Sequence, residues 1–342
     1  MDVQTAPNSE AAQQELPAKR SSPSALGLTI FFLVVFWGAF YGLFRRFPYL
    51  NNGSDLAFAA KLEWEHEGQV FPPDPDVTRV LIFGNSKVLA GFVPAWFDQL
   101  SSANHLRVSS FNSGFPGSDL FLPPLETLCA RGQAPNLLLL TLPWNGDPPR
   151  HDIFHFLRDD HAVVERLFPF RYFLRDLTAF LLAAPDHGGV VNYYRSSKET
   201  VRQVIADRGY HLITEQSRFP GARLPDNFHL GSDEPAKTAP RVAPTQSAQI
   251  GRLNRLIQQY HIDCYYVPYY LRNGEAAPAP EYDPQFAAQL QVTPCKLLGP
   301  DYYLYPSRLF ADQTHLNEAG ARVYTQALFQ LLKDRISPRA LQ

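Results

Sequence analysis

The chain has 342 residues, of which 45% are hydrophobic and 19% are charged, with a formal net charge of −2. This is enough apolar material for one substantial core, and the length also permits two domains. Proteins that bind nucleic acid usually carry a basic domain or stripe, so the near-neutral charge predicts no nucleic-acid partner.

The N-terminal region contains a long uncharged segment. No charged side chain occurs from Ser21 to Phe44, and the twenty predominantly apolar residues from Ala25 onward would form a helix about 30 Å long, the thickness of a bilayer's hydrocarbon layer. The segment is longer than a typical signal-peptide core and no Ala-x-Ala cleavage site follows, which favours an uncleaved anchor over a cleaved signal. We therefore predict a disordered cytoplasmic tail over residues 1–20 and a transmembrane anchor over 21–44.

The flanking charges do not determine the orientation of this anchor. Two basic residues precede it, Lys19 and Arg20, and two follow it, Arg45 and Arg46. We favour the short polar tail inside and the large domain outside. Residues 45–76 are interpreted as a juxtamembrane linker that ends in a Pro-rich stretch.

From residue 77 to 342 apolar runs alternate with helical patterns. Strands are predicted at 80–83, 107–111, 136–142 and 262–267, and helices at 86–100, 118–131, 245–260 and 317–335. Residues 146–244 interrupt this alternation and are interpreted as an insertion, with helical stretches at 163–184 and 197–208, that could cap a site. The pattern predicts an α/β fold with a parallel sheet and right-handed crossovers, covered by helices on both faces.

The three cysteines show no metal-like spacing. Cys264 lies in an apolar strand-like run, which favours a buried reduced thiol, and a Cys264–Cys295 disulfide is the alternative in an oxidising compartment. Cysteine usage alone does not determine the location. Histidines at 151, 155 and 161 suggest a metal site, but no further ligand pattern accompanies them, so exposed residues of the insertion are favoured and no metal or cofactor is predicted.

Ser86 follows the apolar run Val80–Phe83 and opens a predicted helix. Open α/β sheets bind ligands at the carboxyl ends of their strands, where this serine would lie. The simpler interpretation of Ser86 alone is a helix N-cap. Lys87, the next residue, is expected to be solvated.

Asp312 and His315 change this interpretation of Ser86. A serine hydroxyl is a poor nucleophile unless a base takes its proton, and histidine is the usual base near neutral pH. The histidine in turn needs an oriented acceptor, and a spacing of three residues can bring an aspartate to the same face. Taken without Ser86, the two residues could equally be a helix cap and a first-turn residue.

Four short segments resemble, in order, the four sequence blocks of the SGNH (GDSL-like) hydrolase superfamily. They are Gly84-Asn85-Ser86, Asn112-Ser113-Gly114, Pro143-Trp144-Asn145 and Asp312-Gln313-Thr314-His315. The resemblance covers most of the chain after residue 77 except the insertion. The segment from His315 to Gly320 is similar to that of membrane-anchored members, the alginate O-acetylation proteins and the D-alanine transfer protein of teichoic acid modification.

The resemblance implies a role for each matching residue. Ser86 would be the nucleophile, His315 the base and Asp312 the residue that orients it, while the backbone of Gly114 and the side chain of Asn145 would join Ser86 in an oxyanion hole. The third block departs most from the family pattern, so the assignment of Asn145 is the least specific. Gly114 and Asn145 could also be ordinary turn residues.

The expected function is that of a membrane-anchored serine esterase or O-acyltransferase acting on an exported polysaccharide, with acetyl as the simplest acyl group. The expected location is the bacterial inner membrane, as a single-pass protein with its catalytic domain in the periplasm. A transferase would need a membrane acyl-donor protein or a polysaccharide synthase complex as its partner. Two alternatives stay open, a lipid esterase and a non-catalytic scaffold of a polysaccharide export complex. Aromatic residues, which make up 13% of the chain, would stack on sugars or fill the core.

Overall fold

The computed structural model describes residues 23–50, 53–115, 122–141, 168, 170–212, 217, 219–226, 228, 248–272, 293–300 and 302–336. The tail predicted at 1–20, residues 142–167 of the third block and the insertion, and the three histidines at 151, 155 and 161 lie outside the described residues.

The described residues form nine α-helices and seven strands. The helices are α1 (Pro23–Arg46), α2 (Gly53–Glu67), α3 (Ser86–Gly91), α4 (Pro94–Ala103), α5 (Leu122–Ala130), α6 (Phe173–Ala183), α7 (Val190–Ala206), α8 (Ala248–Tyr260) and α9 (Glu318–Leu332). The strands are β1 (Thr78–Gly84), β2 (Val108–Gly114), β3 (Leu137–Leu140), β4 (Asp263–Tyr266), β5 (Tyr269–Arg272), β6 (Lys296–Leu297) and β7 (Tyr302–Tyr305).

Five strands form one sheet in the order β2-β1-β3-β4-β6, and each neighbouring pair is parallel. The prediction of an α/β fold with a parallel sheet is thus confirmed. Strand β1 pairs with β2 over its whole length, so that Gly84 lies opposite Gly114 at the carboxyl edge of the sheet. Strands β5 and β7 form a separate parallel pair.

Side chains of β1 alternate between two apolar clusters, as the period of a strand requires. Leu81 and Phe83 belong to a cluster that also contains residues of α5 and α8. Val80 and Ile82 belong to the other, which contains residues of α4 and α9. Because β1 and β3 are buried on both faces, their sequences are continuously apolar rather than alternating.

The helix predicted over 86–100 is two helices, α3 and α4. Phe92 and Val93, which lie between them, have extended backbone conformations. Pro94 is the physical reason, because proline has no N–H to continue the helix and disfavours helical conformation in the residue before it.

Part of the segment predicted as a juxtamembrane linker belongs to the packed domain. Helix α2 lies within residues 45–76, and its residues Leu56, Ala57, Lys61 and Glu65 are almost fully buried. The predicted boundary at residue 77 therefore falls after the packed domain has begun. The described helices of the insertion, α6 and α7, pack near the N-terminal helices, and Val201 of α7 lies in a cluster with Leu56.

Cys264 and Cys295 form a disulfide, while Cys129 is free and buried. The favoured interpretation of Cys264 as a reduced thiol was therefore wrong. Strands β4 and β6 are adjacent and parallel, and the two cysteines lie directly before the paired residues Tyr265 and Lys296. This proximity depends on a two-residue strand that the sequence pattern does not show.

The predicted N-terminal apolar helix is confirmed as α1. Its span from Ala25 to Arg46 is 22 residues, long and apolar enough to cross a membrane, and its most apolar window is not buried by the rest of the chain. A buried core helix of a globular domain would not leave this surface exposed.

Candidate active site

Ser86 lies at the turn between β1 and α3. Asn85 caps α3, and its side-chain oxygen accepts the N–H of Lys87 at 3.0 Å. Ser86 is the first residue of the helix, so its own N–H has no acceptor within the helix. Its side chain is half-buried at the carboxyl edge of the sheet.

Gly84 makes this turn possible. A Cβ atom at this position would lie 2.3 Å from both Thr141 Oγ1 and Val88 Cγ2. The carbonyl of Gly84 accepts the N–H of Phe115 at 2.8 Å, which continues the pairing with β2 beyond the strand. In the sequence Gly-Asn-Ser, the glycine leaves room for Thr141 and Val88, the asparagine caps α3, and the serine carries the hydroxyl.

Asp312 and His315 lie on a short turn before α9. Phe310 and Leu316 form an antiparallel bridge across this turn, and Ala311 N–H donates to the carbonyl of His315 at 2.8 Å. Asn317 holds the base of the turn, because its side-chain oxygen accepts the N–H of Gly320 at 3.0 Å and its amide donates to Arg308 O at 2.9 Å. Asn317, two residues after His315, therefore fixes the turn on the end of the helix.

The structure brings the three predicted triad residues into contact. His315 Nε2 lies 2.9 Å from Ser86 Oγ, and His315 Nδ1 lies 2.8 Å from Asp312 Oδ2. The other carboxylate oxygen, Oδ1, accepts the backbone N–H groups of Thr314 and His315, each at 2.7 Å. The serine and histidine are 229 positions apart in sequence, so their contact is a product of the fold.

The environment of Asp312 keeps its carboxylate ionised. Burial alone would raise its pKa, but hydrogen bonds from the His315 ring and from two backbone N–H groups outweigh this effect and lower the pKa below its ordinary value. An ionised acceptor at Nδ1 holds the imidazole proton on that nitrogen. Nε2 then presents its lone pair to the serine hydroxyl.

Gly114 differs from the expectation that its N–H faces an oxyanion. That N–H donates to Asn112 Oδ1 at 2.9 Å, and the Gly114 carbonyl accepts from Lys61 Nζ at 2.8 Å. A Cβ on Gly114 would lie 2.4 Å from the backbone nitrogen of Leu89 in α3. Gly114 is therefore required for close contact between β2 and the helix that carries Ser86. Asn145 lies outside the described residues, and its role in an oxyanion hole stays a prediction.

Asn112 belongs to the second family segment, but sequence reasoning assigned it no role. It is fully buried, and its amide donates to the carbonyls of Val88 at 2.8 Å, Phe92 at 2.7 Å and Leu89 at 3.3 Å. These bonds connect the end of β2 to α3. A polar residue directly before Ser-Gly at the end of an apolar strand was the available signal.

Lys87 is not solvated as expected. Its Nζ donates to Tyr270 O at 3.2 Å and lies 5.3 and 5.6 Å from the ring centres of Tyr269 and Tyr270. The Tyr270 hydroxyl donates back to Lys87 O at 2.9 Å. Burial lowers the pKa of Lys87 to about 8. The adjacent tyrosines 269 and 270 thus pack beside the first turn of α3.

A buried ionisable pair from α2 lies beneath the end of β2. Lys61 contacts Gly114 O, and Glu65 Oε1 accepts the hydroxyl of Ser113 at 2.5 Å. Burial lowers the pKa of Lys61 and raises the pKa of Glu65 to about 7. This pair was missed because it falls in the segment that was interpreted as a linker.

Among the residues that the structure describes, no group of three or more His, Cys, Asp or Glu side chains could hold a metal ion. The histidines that suggested a metal site lie outside this part of the chain. The chemistry available at the described site is that of a hydroxyl, an imidazole and a carboxylate.

Comparison of the chain with protein-family models, curated proteins and solved structures finds no match in any of the three. The resemblance to SGNH hydrolases therefore depends on the four short segments. Three of these four, those of Ser86, of Asn112 to Gly114, and of Asp312 and His315, lie together in the structure, and the third segment in chain order lies outside the described residues.

Proposed function

We propose that the protein is a serine esterase or O-acyltransferase with an SGNH hydrolase-like three-layer fold. The observation that carries the proposal is the continuous hydrogen-bonded chain from Ser86 Oγ through the His315 ring to the Asp312 carboxylate. This order of groups is the one that nucleophilic acyl transfer by serine requires.

The proposed reaction has two halves. Ser86 Oγ attacks the ester carbonyl while His315 Nε2 takes the hydroxyl proton, and the developing imidazolium is stabilised by Asp312. Collapse of the tetrahedral intermediate breaks the bond to the leaving alcohol, which receives the proton from His315. Water or a sugar hydroxyl then attacks the acyl-enzyme carbonyl while His315 takes its proton. Collapse of this second intermediate breaks the bond between the acyl group and Ser86 Oγ, which receives the proton from His315, and releases the acid or the sugar ester.

The N–H of Ser86 is the described donor best placed to stabilise the oxyanion, because it precedes the hydrogen-bond ladder of α3. The Gly114 N–H, engaged by Asn112, is not assigned this role. Asn145 is proposed as the second donor on the resemblance alone.

An extracytoplasmic location is proposed for the catalytic domain. Helix α1 is apolar and long enough for a single membrane span, and the Cys264–Cys295 disulfide is typical of oxidising compartments such as the bacterial periplasm. This location favours an exported polysaccharide as the substrate, with acetyl as the acyl group. A transferase would then receive its acyl group from a membrane donor protein or a polysaccharide synthase complex.

The test is hydrolysis of a small aryl acetate by the full chain in detergent, together with labelling by a fluorophosphonate. We expect burst-phase release of the aryl alcohol and a labelled peptide containing Ser86, both abolished by Ser86→Ala. Ser102→Ala, which changes an exposed serine of α4, is the matched control and should keep the wild-type rate.

Equal rates and equal labelling of wild type and Ser86→Ala would refute the catalytic proposal and favour the scaffold alternative. The substrate class is decided by a panel. Deacetylation of acetylated polysaccharides, or acetyl transfer to a sugar acceptor, supports the proposal, whereas activity confined to phospholipid esters selects the lipid esterase, which the membrane span also favours.

A further inference from the structure

Aromatic contacts join α1 to the segment that leads into α6. The ring of Phe170 lies 5.9 Å from those of both Trp37 and Phe40. Phe173, the first residue of α6, is buried in a cluster against which Phe40 and Phe44 also pack. Trp37 precedes the end of α1 by about two and a half helical turns, so the contact is made along the apolar span and not only at its end.

Another side of α6, rotated by about 100° to 180° from the buried residues Phe173 and Phe180, has no cover within the described chain. Leu174, Leu181 and Leu182 are 57%, 48% and 76% exposed, and their spacing places them on one side of the helix. Val190 and Val191, which open α7 after a short turn, are 48% and 70% exposed. These five residues are called the outer face below.

Exposed aliphatic residues in such a group are unusual for a surface that faces water. The outer face belongs to a helix whose buried side packs with Phe40 and Phe44 of α1, so the helix lies directly beside the apolar span. Beside it, the guanidinium groups of Arg171 and Arg175 lie 4.8 and 4.5 Å from the ring centre of Tyr172. Tyrosine and arginine side chains have an apolar stem and a polar end, and they are common where a protein meets the headgroup region of a bilayer.

We propose that α6 and the start of α7 form a second membrane-contacting element. Its outer face lies in the interfacial region of the leaflet from which the C-terminal end of α1 emerges. A helix held against a membrane span by aromatic contacts cannot be moved away from the bilayer without breaking those contacts. The lipid surface is therefore the occupant that this direct packing against α1 favours over a second protein.

This element gives part of the insertion a role. A single span allows the attached domain to rotate and tilt, whereas a second contact beside it restricts both motions. The insertion then fixes the orientation of the sheet edge that carries Ser86 relative to the membrane surface. The inference requires that α1 spans a bilayer, but it does not require the site to be catalytic.

The experiment uses the full chain, one copy per lipid nanodisc, with a spin label at a single introduced cysteine. Leu174→Cys and Leu182→Cys probe the outer face in a Cys129→Ala background, and neither site is buried. Leu33→Cys, in the middle of α1, is the lipid benchmark, and Glu199→Cys, on an exposed part of α7, is the aqueous benchmark. Collisions with oxygen report lipid, and collisions with a water-soluble nickel chelate report water.

We expect oxygen to dominate at residues 174 and 182, as at residue 33, with a ratio of oxygen to nickel accessibility at least several-fold above that at residue 199. Nickel-dominated values at both outer-face positions, with oxygen dominance kept at residue 33, would overturn the proposal. Nickel dominance at residue 33 would remove its premise. Dipolar broadening between labels at residue 182 in discs that hold two copies would assign the face to a second copy instead.

Each outcome is distinguishable from a failure of the proposed function. Aryl-acetate hydrolysis by the same labelled proteins is measured in parallel, and Ser86→Ala should leave the accessibility ratios unchanged. Leu182→Glu, at a position 76% exposed, should leave folding intact and lower the oxygen accessibility at residue 174.

Discussion

The side-chain oxygen of Asn112 accepts the backbone N–H of Gly114 at 2.9 Å, while the amide of the same side chain donates to carbonyls of α3. One buried side chain thus holds the end of β2 and the helix that begins with Ser86. The position of the candidate nucleophile depends on this residue even though it does not touch the triad.

Asn112→Asp should therefore both destabilise the protein and lower its esterase activity. A carboxylate has no N–H groups for Val88 O and Phe92 O, and its charge would be buried beside two carbonyl oxygens. We expect the free energy of unfolding to fall by about 3 kcal/mol or more, measured by thermal unfolding in detergent. Asn104→Asp, at the exposed C-cap of α4, is the control, and equal losses in the two variants would contradict the role given to Asn112.

The sequence predicted those parts of the site that depend on local pattern. The apolar run of β1 followed by Gly-Asn-Ser indicated a strand, a turn and a helix, and all three are present. The spacing of Asp312 and His315 indicated a shared face, and their side chains are in contact. Their pairing with Ser86 was expected from the order of the motifs and from a parallel sheet that brings strand ends to one edge.

The parts that were missed depend on contacts between distant segments. Lys87 is covered by a tyrosine pair 183 positions away, so nothing near it in sequence indicates burial. Lys61 and Glu65 make α2 resemble a polar linker, because a pattern cannot show that two charged residues face inward. The N–H of Gly114 is occupied by a side chain two positions earlier, and this contact depends on the rotamer of Asn112.

Asp312→Asn tests whether the carboxylate orients the histidine. An amide oxygen can still accept the backbone N–H groups, but its NH₂ would face Nδ1 and favour the tautomer with the proton on Nε2. We expect kcat for an aryl acetate to fall about 100- to 10,000-fold with little change in melting temperature. Asp334→Asn, an exposed residue after α9, should retain full activity. A wild-type kcat in Asp312→Asn would show that the hydrogen bond to His315 has no catalytic role.

His211 should make the stability of the protein depend on pH. Burial and the nearby positive charge of Lys61 lower its pKa from 6.5 to about 4. Between pH 6.5 and about 4, His211 therefore binds a proton in the unfolded chain but not in the folded chain. This stability is present above about pH 6.5 and is lost as the pH falls toward 4.

His211→Gln should remove that loss. Between pH 7 and pH 4.5, the unfolding free energy of the wild type should fall by about 1 to 3 kcal/mol more than that of the variant. The lower end of this range allows for solvent screening, because the ring is partly exposed. The raised pKa of Glu65 makes its own contribution to stability increase as the pH falls, and it does so in both proteins. The difference between their two pH profiles therefore reports His211. The measurement is chemical unfolding at the two pH values, with exposed His105→Asn as the control. Parallel pH profiles for wild type and His211→Gln would refute the assignment.

Reduction of the Cys264–Cys295 disulfide should destabilise the domain without disturbing the triad directly. The bond joins positions separated by 31 residues, and constraint of a loop of this length in the unfolded chain contributes about 3 to 4 kcal/mol. Dithiothreitol should therefore lower the melting temperature of the wild type to that of a Cys264→Ala, Cys295→Ala double variant, whose own melting should not respond to the reductant. Cys129→Ala keeps the disulfide and should respond as the wild type does, because its thiol is free and buried.

A wild type that melts at the same temperature with and without reductant, after thiol counting has confirmed reduction, would show that the bond does not stabilise β4 against β6.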